Sequence, residues 1–110
     1  MTTKVMVLTA LFAIATAGAL CAQQPADAAS LYAKSCASCH GPRGTPAPAM
    51  ARSMPRLPDF AAATFAATPD SALRSVIADG KPPMMVAYKT RFTAAQIASL
   101  VTYIKTFSRH

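Results

Sequence analysis

Negative charge is almost missing from this chain. It contains no glutamate, and Asp27, Asp59, Asp70 and Asp79 stand alone against eleven lysines and arginines, for a formal net charge of +7 at pH 7. A surface so poor in carboxylates disfavours basic partners and favours acidic proteins or anionic membrane faces through long-range steering. Basic clusters interleaved with aromatics are also lacking, which removes strand binding and with it nucleic acid as a partner. No apolar run reaches the ~20 residues a spanning helix needs. The longest, Val5 to Leu20, is uncharged, follows Lys4 and gives way to Gln23, Gln24 and Pro25. A basic start, an apolar middle and a small-residue exit are the layout of a secretory signal. Residues 1–22 are therefore assigned to a signal cleaved after Ala22, with Ala28 as the second choice, and the protein is expected in the periplasm. Membrane association is left to an uncleaved N-terminus or to a partner complex.

Cysteine is scarce too. Leu20 before Cys21 is a poor match to a lipoprotein signal, so Cys21 goes with the discarded segment, leaving Cys36 and Cys39. They close too small a loop to act as a structural disulfide, which stabilises chiefly by restricting a long loop in the unfolded chain. The mature chain, 23–110, keeps about 88 of the 110 residues and a charge of +6 once Lys4 is lost. That is one domain, near the size at which a core alone gives only modest stability, so something besides side-chain packing is expected to help.

The chain reads as all-α, with three helices and no strands. Asp27 is placed to cap a first helix over 28–36, with Leu31, Tyr32 and Ser35 on one face. From Gly41 to Phe60, prolines at 42, 46, 48, 55 and 58 remove donors and block helix continuation, predicting one extended loop. A loop that long in so small a domain is expected to be functional, packed against a large non-protein group. Thr68 is placed to cap a middle helix, with Pro69 in its first turn, Asp70 as an acid near its N-terminus and Gly80 as its stop, and Leu73, Val76 and Ile77 form the stripe between them. Thr93 and Gln96 make a capping box for a last helix bearing Ile97, Leu100, Val101, Ile104 and Phe107.

Cys36, Ala37, Ser38, Cys39 and His40 form C-x-x-C-H, the signature of c-type haem attachment. Two thiols one helical turn apart can add across two vinyl groups, and a histidine directly after the second then lies under the iron as a neutral imidazole. A thioredoxin-like pair would need a βαβ context, and a zinc site two further ligands, of which only His110 is available. Methionines 50, 54, 84 and 85 compete for the second axial position. Met84 and Met85 stand out because Gly80, Lys81, Pro82 and Pro83 precede them and can hold a sulfur in a fixed place.

On these residues the mature chain resembles a class I cytochrome c along its whole length. Family members often read I-x-x-G-x-x-x-M-P-A-F/Y, then L-T/S-x-x-Q/E-I and V-x-Y-I. This chain has Ile77, Gly80, Met85, Ala87 and Tyr88, then Phe92, Thr93, Gln96 and Ile97, then Val101, Tyr103 and Ile104. The resemblance implies the cytochrome c fold: three main helices and a proline-rich loop wrapped around one covalent haem c on Cys36 and Cys39. It implies His40 and Met85 as axial ligands, with Met84 the second choice. Val86 stands where the family usually has proline, which leaves the ligand turn less rigid. The resemblance also implies that Ala28 and Tyr32 meet Leu100 and Tyr103 where the first and last helices cross. Pro48 is a candidate to supply the carbonyl that fixes the His40 ring, and Pro58, Asp59 and Phe60 are expected to pack on the haem.

His/Met ligation fills both axial sites, so the expected role is one-electron exchange with redox proteins rather than catalysis. Thioether sulfur raises the potential relative to a second histidine. Lys81, Lys89 and Arg91 flank the methionine turn and are candidates to dock acidic partners, with Arg43, Arg52 and Arg56 beyond His40. The rivals are an enzyme or gas sensor with an open sixth position, and a cytochrome subunit of a larger dehydrogenase or oxidase.

Overall fold

The computed structural model of the chain describes residues 25–109 together with Ala10 and Ala13. The expected signal, apart from those two alanines, lies outside the described residues, as do the Ala22 cleavage site, Cys21 and His110.

The first helix, α1, runs Pro25–Ser35, earlier than the expected 28–36. Pro25 suits the first helical position, where its missing N–H is no loss. Asp27 lies inside the first turn instead of capping it, where its charge favours the positive end of the helix dipole. A second, four-residue helix, α2 (Ala37–His40), follows at once.

The 41–60 segment differs from the single extended loop expected of it. Pro48–Ser53 forms a helical turn and a half, α3, with Pro48 at its start. Proline tolerates the first turn of a helix, and Ala49, Met50, Ala51 and Arg52 are good helix formers, so the prolines at 48 and 55 bracket a helix rather than forbid one. A 3₁₀ turn, Ala63–Ala67, leads to α4, Asp70–Asp79. Pro69, not Thr68, occupies the cap position of α4, and no side chain caps it. The Pro69 carbonyl accepts the first helical bond, from Leu73 N at 3.2 Å. Gly80, at φ 71°, ends α4 as expected.

The last helix, α5, runs Ala94–Thr106 behind the expected capping box. Thr93 Oγ1 accepts from Gln96 N at 3.1 Å, and Gln96 Oε1 accepts from Thr93 N at 2.8 Å. Phe107–Arg109 continue as a 3₁₀ turn. Three expected helices are thus five, while the all-α class holds: among the described residues the only β pairing is an isolated bridge between Lys81 and Met85.

α5 is the centre of the packing, with α1 and α4 laid against it. Its stripe of Ile97, Leu100, Val101 and Ile104 is buried, and Ala28 and Tyr32 are the buried residues of α1. The Tyr32 ring stands edge-on to Tyr103 at 5.5 Å and lies 5.3 Å from Phe107. This is the small-residue and aromatic crossing that the resemblance implied. Phe60, Phe65 and Leu73 close the remaining side of the core. It is a small core, and two of its large members, Phe60 and Phe65, lie outside the α-helices, in a turn and the 3₁₀ turn after it.

Candidate functional site

Ser35 ends α1, and the chain turns directly into α2, which carries the motif. Cys36 O accepts from Cys39 N at 3.2 Å and from His40 N at 2.9 Å, so both thiols and the imidazole sit on one tight helical turn. Both thiols are free and half-buried. Burial, followed by the neighbouring Cys39, pushes the Cys36 thiol up to about 11, so at neutral pH it is protonated in the unloaded chain.

Two glycines shape the segment after the motif. Gly41, at φ 82°, lets the chain reverse, and a Cβ there would collide with the Thr45 carbonyl. Gly44, at φ 85°, is buried so closely that a Cβ would lie 2.7 Å from Phe60 Cβ and 2.8 Å from Phe107 Cδ2. The Phe60 N–H donates to Gly44 O at 2.9 Å, bringing the Phe60 ring parallel to the His40 imidazole at 4.6 Å between centroids and 16° between planes. Phe65 packs behind Phe60 at 4.7 Å. Asp59 secures the turn, its Oδ1 accepting from Thr45 Oγ1 and Ala61 N, both at 2.9 Å.

Burial lowers the pKa of His40, favouring the neutral ring. Its Nδ1 is buried and has no hydrogen-bond partner. Pro48 opens α3 from an exposed position and receives no hydrogen bond from that nitrogen.

The methionine turn is built on the end of α4. Lys81 N donates to Met85 O at 2.9 Å, and Met85 N returns a bond to Lys81 O at 3.0 Å. The turn is anchored to α4 by Tyr88 N to Ile77 O and Lys89 N to Ala78 O, both at 3.1 Å. Met84 is 69% exposed and Val86 49%, whereas Met85 is half-buried. Tyr88 is buried, and its hydroxyl donates to Ser35 O at 3.0 Å. Burial raises the Tyr88 pKa, as does Cys36 and, more weakly, Cys39, against a lowering by Arg91.

Lys81 and Arg91 are exposed, and the Arg91 guanidinium stands 5.9 Å from the centre of the Tyr88 ring. Lys89 is exposed and pairs with Asp79 at 3.3 Å. Arg43, Arg52 and Arg56 are exposed and make no ion pair among the described residues. Sequence reasoning missed the Tyr88–Ser35 bond and the Phe60–His40 stack. Both join residues far apart along the chain, and no local spacing encodes such contacts.

These residues suit a haem on their own chemistry. Two free thiols sit one turn apart, and the adjoining imidazole is held neutral with a desolvated nitrogen that the chain leaves unpartnered. Such a nitrogen costs about 1–3 kcal/mol unless something satisfies it. Aromatic side chains line that region. A metal held by protein side chains alone does not fit, because among the described residues no three His, Cys, Asp or Glu side chains converge. No helix among those residues is long and apolar enough to cross a membrane.

Comparison with known proteins agrees. A solved structure of the KustC0563 c-type cytochrome superposes with a TM-score of 0.65 at 32% identity, covering 74% of this chain and 96% of that one. A tyrosine-to-phenylalanine mutant of Kustc0563 does so with a TM-score of 0.65 at 28% identity, covering 74% and 98%. No curated protein sequence matches. The cytochrome c family profile matches residues 25–108, and the chain belongs to the cytochrome c family, whose members use haem to transfer electrons.

Proposed function

We propose that the protein is an exported, periplasmic one-electron carrier. One haem c is held through thioethers to Cys36 and Cys39, with His40 and Met85 on the iron. Bound there, the haem supplies a one-electron couple. The chain's own residues hold it, exclude water and present a docking face. The observation that carries the reading is the turn of α2, which brings two free thiols and a desolvated, neutral His40 together.

Met85 is favoured over Met84 by burial, since a side chain 69% exposed is poorly placed to serve an enclosed iron. The Lys81–Met85 bridge also fixes the backbone of Met85. Export rests on the signal-like layout of residues 1–22, and cleavage after Ala22 fits the fold better than cleavage after Ala28. Ala28 is 3% exposed within α1, so a cut there would take away the first turn of a packed helix. With both axial positions filled, the role is carriage rather than catalysis. Lys81, Lys89 and Arg91 are the groups to meet acidic redox partners.

The test is spectroscopic. The exported protein is denatured and extracted with acidic acetone, and the red colour must stay with the polypeptide. The oxidised protein must show the weak thioether-to-iron band near the red end of the visible, lost in Met85→Ala and kept in Met84→Ala. A high-spin spectrum at rest would instead mark an open sixth position, the sensor or enzyme reading.

A further inference from the structure

The methionine turn has little to hold it against the segment that carries the cysteines. Its internal bridge joins Met85 to Lys81, within the turn itself, and its backbone anchors reach α4. Val86 and Ala87 are exposed and make no hydrogen bond among the described residues. Between the two segments runs one hydrogen bond, Tyr88 Oη to Ser35 O at 3.0 Å, linking residues 53 apart in sequence. It is the only hydrogen bond among the described residues between 80–92 and 25–41.

Its acceptor is well chosen. Ser35 is the last residue of α1, where carbonyls lack helical partners, and no other described donor reaches its oxygen. Cys36 comes directly after it. The donor is equally constrained: the Tyr88 ring is 9% exposed, stacks on Phe92 at 5.0 Å and 7°, and lies beneath Arg91. Its backbone is fixed on both sides, by its N–H to Ile77 O and by its carbonyl, which accepts from Arg91 N and Phe92 N. A rigid ring thus connects the turn to the residue before the first cysteine. The position after Met85 lacks the proline that would stiffen it otherwise.

We propose that Tyr88 is a positioning residue for the sixth ligand: by holding Ser35 O it couples the methionine turn to the cysteine segment and sets how readily an outside base displaces Met85. The inference rests on Met85 being that ligand.

The test uses the oxidised, haem-loaded protein titrated with imidazole, followed by loss of the thioether-to-iron band. Tyr88→Phe keeps the ring and its stacking and removes only the hydroxyl. It should bind imidazole about fivefold more tightly than wild type, the factor that corresponds to a net hydrogen bond of about 1 kcal/mol. Far-UV circular dichroism should be unchanged. Should Tyr88→Phe fail to load haem, Phe92→Leu, which loosens the stack and leaves the hydroxyl, should shift the imidazole affinity in the same direction by a smaller factor. Wild-type imidazole affinity in a folded Tyr88→Phe protein would overturn the coupling while leaving Met85 ligation intact. Retention of the band in Met85→Ala would overturn the ligand assignment, and the coupling with it.

Discussion

The Tyr32 hydroxyl donates to the Gly41 carbonyl at 2.6 Å, from a side chain 1% exposed. One ring thereby joins the α1–α5 crossing to the glycine turn that releases the chain from C-x-x-C-H. Gly41 O also accepts from Gly44 N at 3.2 Å, so it keeps a partner when the phenol is lost. Tyr32→Phe should therefore cost about 1 kcal/mol, the net worth of one hydrogen bond, and no more than about 2. Guanidinium denaturation of the haem-loaded protein measures it; a loss of about 3 kcal/mol or more would mean that the hydroxyl holds something beyond Gly41.

The same phenol gives the alkaline limb of stability a sign. Burial, then Cys36, then Tyr103 raise the Tyr32 pKa above its ordinary value of 10.0. The folded state thus keeps a proton that the unfolded state gives up. The contribution is fully present below about pH 10 and is lost as pH rises from there toward the raised folded value. Thioether formation removes any charge on Cys36, but burial, the largest cause, remains. Urea midpoints between about pH 8 and 11 should fall with pH in wild type and fall less steeply in Tyr32→Phe. Parallel curves would show that Tyr32 ionises as easily folded as unfolded.

Much of this architecture was legible locally. The capping box at Thr93 and Gln96 is a three-residue rule, the α5 stripe is periodicity, and C-x-x-C-H is a contiguous motif whose geometry one helical turn dictates. Elsewhere the local rules competed. Pro48 could be read as a helix breaker or a helix starter, and only the helix formers after it decide for α3. Thr68 offered a hydroxyl cap, yet Pro69 takes the cap position with its carbonyl alone. What spacing could not reveal was tertiary: Phe60 on His40 and Tyr88 on Ser35 are each set by where segments distant along the chain meet.

Gly44 tests how tightly the loop is drawn over the motif. A Cβ there would lie 2.7 Å from Phe60 Cβ, and φ is 85°, a conformation L side chains rarely adopt. Phe60 cannot retreat freely, because it stacks on His40. Gly44→Ala should cost about 2–4 kcal/mol, strain and overpacking together, and should lower the yield of haem-loaded protein. Purified protein with wild-type yield and midpoint would show that the loop has room to spare.

Leu100 is 1% exposed at the centre of the α5 stripe. Leu100→Ala should cost about 2–5 kcal/mol, since the crossing with α1 leaves little freedom to collapse into the space vacated. Thermal unfolding followed by far-UV circular dichroism measures this, and the haem spectrum below the transition should be unchanged because the residue belongs to the packing rather than to the ligand set.

Charge near the methionine turn should govern encounter rates. Lys81 is exposed and unpaired among the described residues, whereas the charge of Lys89 is already offset by Asp79 at 3.3 Å. Reversing either one changes the long-range field equally, but close to the surface Lys89→Glu places two carboxylates side by side and should repel an approaching anion more. Oxidation of the reduced protein by ferricyanide, followed by stopped flow, reads the effect directly. At about 10 mM salt both variants should react roughly threefold to tenfold more slowly than wild type, Lys89→Glu the slower of the two. At about 1 M salt, where the screening length shrinks to roughly 3 Å, all three rates should converge. Equal rates at low salt would place the route of electron entry away from this turn.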